Sequence, residues 1–157
     1  MARSDACWAA GPPKEGQSLL TLYPETRHCY VCGAENPIGM HVRFEREGEH
    51  GSVGEYTARE EHCGWPGILH GGVAFALMDE ALAWALYFQN LFGVTGKCET
   101  RFRQPIRCGM TVTVHARTLE QRRNTVRAEA AIRLKSDPGV RIAEANALMF
   151  LQPLASR

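Results

Sequence analysis

The sequence lacks any surplus of charge. Its 18 Lys and Arg almost balance 17 Asp and Glu, for a formal net charge of +1. That excludes the electrostatic footprint of a nucleic-acid-binding protein or of one held on an anionic membrane surface. It also lacks a long apolar run free of charge. The longest such stretch surrounds Asp79 and Glu80, and two adjacent carboxylates at its centre argue against a membrane span. No apolar segment follows Met1-Ala2-Arg3-Ser4-Asp5, so no secretory leader is expected. Six cysteines are present, Cys7, Cys29, Cys32, Cys63, Cys98 and Cys108, but a second Cys-x-x-Cys pair is missing. An even count suggests disulfides in a small secreted chain. Here 157 residues, 45% of them hydrophobic, suffice to bury one core without staples. Reduced thiols and a cytoplasmic location are therefore expected.

What is present reads as one domain. Residues 1–27 mix Gly11, Pro12, Pro13, Lys14, Glu15 and Gly16 with no lasting period, which predicts a partly disordered tail before a domain over 28–157. Met40, Val42 and Phe44 alternate with His41, Arg43 and Glu45, predicting a strand from Met40 to Glu47. A turn at Gly48–Gly51 leads to a second strand around Val53–Ala58, then to a loop, Glu60–Gly67, broken at Trp65-Pro66-Gly67. Val73–Phe88 is apolar on nearly every face and rich in alanine, which predicts a buried helix. Four alternating runs follow, Lys97–Arg103, Met110–Arg117, Thr125–Leu134 and Val140–Leu151. Turns are expected at Gln121–Asn124 and Ser136–Gly139. Short connections imply an antiparallel meander. The expected class is α+β, with an antiparallel sheet of about six strands wrapped around one long helix.

The chemistry concentrates at Gly67-Ile68-Leu69-His70-Gly71-Gly72-Val73 and at Asp79-Glu80. The first N–H groups of a helix have no partner within it, and glycine lets another group approach that backbone closely. Such a terminus can polarise a carbonyl, although a glycine pair also serves simple close packing. A carboxylate within an apolar helix costs several kcal/mol unless paired or hydrated. A salt bridge to a sheet arginine, a solvated edge and catalysis all remain open for Asp79 and Glu80. Asp79 lies seven residues after Gly72, roughly 10 Å along a helix. One helix therefore cannot bring both groups to one reacting carbonyl. If the motif is catalytic, Gly71 or Gly72 of one chain must face Asp79 of another across a two-fold axis.

Two stretches carry a family resemblance. One is Cys29-Tyr30-Val31-Cys32-Gly33-Ala34-Glu35-Asn36-Pro37-Ile38-Gly39-Met40. The other is Gly64-Trp65-Pro66-Gly67-Ile68-Leu69-His70-Gly71-Gly72, with Asp79 nine positions after the histidine. Together with the strand order over Cys29 to Leu151, they resemble the hotdog-fold thioesterases of the PaaI-like group. The resemblance implies a homodimer or homotetramer that hydrolyses an acyl-CoA without a cofactor or catalytic metal. It implies that the N–H of Gly71 polarises the thioester carbonyl, with Gly72 beside it. Asp79 of the partner chain acts as general base or nucleophile, and His70 shapes the site. Thr95 aligns with a small assisting hydroxyl residue, and Glu80, Trp65 and Arg103 are expected against the substrate. One departure stands out: many such relatives have asparagine six positions before the histidine, where this chain has Gly64. That favours a rival reading, a hotdog protein that binds an acyl or aromatic ligand without cleaving it.

Other candidates are weaker. Cys29 and Cys32, with His28, His41 and Cys63 elsewhere, suggest zinc, but a packed turn is the stronger reading because four ligands are not evident. Arg101, Arg103, Arg107, Arg122 and Arg123 are candidates for the phosphates of coenzyme A, or are simply the solvated faces of strands. Trp84, Tyr87 and Phe88 are candidates for an acyl pocket, or are core.

Overall fold

The computed structural model describes residues 24–152. The expected tail lies outside the described residues up to residue 23, and Pro24–His28 form a 3-10 helix. The sheet strands are β1 (Phe44–Glu47), β2 (Gly51–Thr57), β5 (Gly93–Phe102), β6 (Thr111–Arg122), β7 (Thr125–Leu134) and β8 (Asp137–Leu151). A small hairpin of β3 (Cys63–Trp65) and β4 (Ile68–Leu69) leads into a long helix, α1 (Gly71–Tyr87). The six-stranded sheet is antiparallel throughout, in the order β1-β2-β6-β7-β8-β5.

The helix forms where alanine-rich apolar sequence predicts it, and the sheet curls around it. Leu77, Met78, Leu82 and Leu86 are fully buried against inward residues of the sheet such as Val112, Val114, Val126, Ile132, Ile142 and Met149. Each such aliphatic side chain contributes about 1.5–3 kcal/mol on burial. One polar tether crosses the layers: the buried Ser52 hydroxyl donates to the Ala81 carbonyl at 2.6 Å. The remaining face of α1, with Val73, Phe75, Ala76, Asp79, Ala83 and Trp84, is only half-buried.

Several boundaries differ for local reasons. The strand expected from Met40 begins at Phe44, because His41 has φ +57° and breaks the extended run. Met40 and Val42 still point into the core, but their N–H groups donate to the carbonyls of Tyr30 and Val31. The turn expected at Ser136–Gly139 is tighter, at residues 135–136, and β8 already starts at Asp137. β6 runs on to Arg122 through an irregularity between Thr118 and Glu120. β5 starts at Gly93, four residues before the expected Lys97, and bulges between Thr95 and Lys97. The meander holds for β6, β7 and β8 only. β5 pairs with β8, and its other edge has no strand partner among the described residues.

Candidate active site

The mouth of α1 is built by its own cap. Leu69 N–H donates to the Ile106 carbonyl and His70 N–H to the His62 carbonyl, both at 2.9 Å, which fixes where the helix begins. His70 is the N-cap: its Nδ1 accepts the Gly72 N–H at 2.9 Å. An accepting Nδ1 places the ring proton of a neutral imidazole on Nε2. The His70 carbonyl takes the N–H groups of Val73 and Ala74 at 2.9 and 3.1 Å. The first-turn donors at 72, 73 and 74 are thus satisfied locally. Gly71 N–H has no partner among the described residues, and Gly71 is exposed. Helix spacing alone left Gly71 and Gly72 equivalent, whereas the family resemblance pointed to Gly71; the cap separates them and leaves Gly71 as the free donor.

The imidazole also explains Gly64. A Cβ built there would lie 2.7 Å from His70 Cδ2, so the ring fills the space that an asparagine side chain would need. Gly64→Asn is expected to push the ring aside and break the Nδ1 cap. The loss should be about 1 kcal/mol in urea denaturation, with no gain in turnover. Unchanged stability with His70 still in place would refute this account of the departure.

Asp79 lies in the middle of α1, half-buried. The Thr95 hydroxyl donates to Asp79 Oδ1 at 2.5 Å and also lies 3.3 Å from Met149 Sδ. Thr95 reaches the helix from the bulge in β5, where Gly96 has no side chain and the Phe150 ring lies in the space a Cβ would take. A bulge of this kind re-aims the neighbouring side chain. Cys98, also on β5, has its thiol pushed up by burial, with Asp79 adding to the shift. Thr95 holds one carboxylate oxygen, and no hydrogen bond to Oδ2 is found among the described residues. Helix rise keeps Asp79 roughly 12 Å from Gly71 of its own chain.

Glu80 faces elsewhere, since successive residues diverge by about 100° around a helix. Its Oε2 accepts from the Cys29 thiol at 3.4 Å and its Oε1 from the Trp84 indole N–H at 3.2 Å. Burial pushes its carboxyl up to about 7. Glu80 and Asp79 are therefore not two members of one cluster. Glu80, Cys29, Cys32, Phe44, Trp84 and Tyr87 line a cavity of about 550 Å³, so Trp84 and Tyr87 are cavity wall while Phe88 packs against the core.

A second cavity, of about 350 Å³, lies at the helix mouth and is lined by Gly71, Ala74, Phe102, Arg103, Gln104 and Ile142 among others. Sequence reasoning named Gly71 and Arg103 of this group, but not the apolar walls, which meet only once β5 pairs with β8. Arg103 is half-exposed and forms an ion pair with Glu144, which also holds Arg141 at 2.8 Å. Trp65 stands outward on β3, 77% exposed. Of the other arginines, Arg122 pairs with Glu120 at 2.7 Å on the far end of β6, and Arg123 sits in the turn after it at φ +52°. Neither lines either cavity. Arg101 and Arg107 are exposed and also lie outside both cavity walls.

This geometry agrees with known proteins. A sequence profile described as Thioesterase superfamily matches residues 66–140, from just before the helix mouth into the last hairpin. A thioesterase superfamily protein of known structure superposes with a TM-score of 0.72 at 25% identity, over 78% of this chain and 62% of that one. The chain has the hotdog fold, and over the matched residues it is similar to the thioesterase superfamily. An uncharacterized protein of Schizosaccharomyces pombe is 30% identical over 114 residues, 70% of this chain. The chain spans only 64% of the length of that relative. A hypothetical thioesterase protein of Streptococcus pneumoniae, solved with coenzyme A, shares the hotdog fold at a TM-score of 0.67 and 20% identity. The match covers 73% of this chain and 91% of that one. Among the described residues no helix is long and apolar enough to cross a membrane.

Proposed function

We propose that this chain is a cytoplasmic PaaI-like thioesterase that hydrolyses a small or medium acyl-CoA at the interface of a homodimer. The observation that carries the reading is a pairing on one continuous helix. A free N–H stands at the mouth, on Gly71, and a carboxylate oriented by Thr95 stands at mid-length, on Asp79. The free donor stabilises the oxyanion that develops on the thioester carbonyl. The carboxylate activates water for attack on that carbonyl, and the thiolate of coenzyme A leaves.

Their separation along α1 makes a second chain necessary, and two features support one. Among the described residues the outer edge of β5 has no strand partner, and another β5 can complete it. The half-buried apolar face of α1 lies beside that edge, with Val94 and Phe102 exposed on β5 itself. His70 keeps Gly71 free by capping Gly72. Arg103, at the rim of the mouth cavity, would meet a coenzyme A phosphate by exchanging Glu144, and Trp65 is exposed on the hairpin that leads into α1. The grouping as PaaI-like rests on the Cys-x-x-Cys-Gly and His-Gly-Gly motifs, and the substrate class on the coenzyme A held by the pneumococcal relative.

A panel of acyl-CoA thioesters, read by release of free thiol, tests the proposal. Turnover of at least one member is expected, and no release from any of them refutes hydrolysis. A second reading is kept by one observation: a side chain at position 64, where the family resemblance implies asparagine, would run into the His70 ring. In that reading the protein binds an acyl or aromatic ligand without cleaving it, and calorimetry with an uncleavable thioether analogue would show binding where the panel shows no release.

A further inference from the structure

The turn Cys29-Tyr30-Val31-Cys32-Gly33 has a geometry that the thioesterase reading does not use. Val31 N–H donates to Cys29 Sγ at 3.4 Å. A peptide donor aimed at the sulfur favours its thiolate form, the form that ligates metals. Gly33 closes the turn, its N–H bonded to the Cys29 carbonyl at 3.0 Å. A Cβ there would fall 2.4 Å from Cys29 N and 2.5 Å from the Arg27 carbonyl oxygen, so the loop in this shape requires glycine.

Glu80 supplies what the sequence seemed to lack. The ligand atoms of Cys29, Cys32 and Glu80 all lie within 4.8 Å of one another, with Cys29 Sγ and Glu80 Oε2 at 3.4 Å. Zinc with sulfur at about 2.3 Å and carboxylate oxygen at about 2.0–2.2 Å in a tetrahedron sets its ligands roughly 3.5–3.8 Å apart. The 3.4 Å between Cys29 Sγ and Glu80 Oε2 is already close to such a set, and the other two separations, within 4.8 Å, reach it by closing about 1 Å at most. No lysine or arginine forms an ion pair with Glu80 among the described residues, although it sits in an apolar helix. Cys29, Cys32 and Glu80 also border the cavity of about 550 Å³, which leaves room for a fourth, non-protein ligand.

We propose that Cys29, Cys32 and Glu80 form a zinc site, two thiolates and a carboxylate around one ion, with the fourth position open to water in the adjoining cavity. The ion ties the N-terminal turn to the middle of α1, across 51 residues of sequence. The site does not involve Asp79 or Gly71, so it stands apart from the proposed hydrolysis.

Cobalt(II) is the probe, added to the reduced full-length chain after chelator dialysis. One equivalent is expected to produce the near-ultraviolet thiolate-to-cobalt absorption and the visible bands of a tetrahedral centre, and zinc should bleach both. Cys29→Ser and Cys32→Ser are expected to remove the charge-transfer band. Glu80→Gln should weaken cobalt binding by about tenfold or more, since even outer partners of metal ligands cost 10–100-fold. Glu80→Gln keeps both cysteines and so remains informative if a serine variant fails to fold. A second group, Glu60, Cys63 and Cys108, serves as the internal control. Cys63→Ser and Cys108→Ser should leave the spectrum unchanged. No charge-transfer band at saturating cobalt overturns the proposal. So does a band that survives Cys29→Ser, or one that Cys63→Ser abolishes.

Discussion

Asp79→Asn is expected to lower kcat on the best acyl-CoA by ~100-fold or more. Asparagine has the shape of aspartate and keeps an oxygen to accept the Thr95 hydroxyl, now 2.5 Å from Oδ1. What it loses is the charge and the basicity. Substrate binding made equally in ground and transition states should survive, so KM should change little while kcat falls. Stability should stay within about 1 kcal/mol, because the weaker Thr95 bond is offset by a smaller cost of burying the group. The dimer should persist, as Asp79 is one position on a much wider apolar helix face. Steady-state kinetics, a denaturation curve and sedimentation read these three quantities. A kcat unchanged by the substitution removes Asp79 from the mechanism. Single-turnover hydrolysis in ¹⁸O-labelled water separates the two roles a carboxylate can take. Label appears only in the released acid if Asp79 activates water, and unlabelled carboxylate oxygen reaches the product if Asp79 attacks directly.

The elements whose sequence carries their own period were legible. Thr125–Leu134 alternates cleanly and forms β7 at those bounds, because one face meets α1 and the other meets solvent. The helix was legible from alanine and apolar content, although its first two residues, Gly71 and Gly72, fell outside the apolar run. Pairing was not legible. Nothing in the period of β5 says that it lies beside β8 rather than β6, since both partners offer the same backbone. The bulge at Gly96 is hidden too, yet it brings Thr95 to Asp79. The relation between Gly64 and His70 needs the β3–β4 hairpin to fold the chain back on itself. The Cys29 and Glu80 contact joins two motifs that read as unrelated along the chain, and the sequence gives no period that links them. In each case the missing information is a long-range contact, whereas composition and spacing report only local preference.

Gly71→Pro is expected to remove the free donor without disturbing the helix. Proline is tolerated at the first helical position, where its missing N–H has no intrahelical partner to lose. The residue before it must be extended, and His70 already is, at φ −61° and ψ +133°. Space is available as well, since a Cβ at Gly71 would meet only Phe102 Cζ at 3.9 Å. Loss of one oxyanion donor costs about 10²–10³ in kcat. The decisive step is to mix this variant with Asp79→Asn. If each site draws Gly71 from one chain and Asp79 from the other, a mixed dimer holds one site with both groups intact and one with neither. Random exchange makes half of the dimers mixed, so two nearly inactive proteins should regain about one quarter of the parental activity. Differently tagged chains allow the mixed species to be isolated and assayed alone, where about half of the parental activity per dimer is expected. Mixed dimers that form and remain inactive would mean that donor and carboxylate do not meet across the two-fold axis. The roughly 12 Å between them on α1 would then leave no arrangement in which both act on one carbonyl.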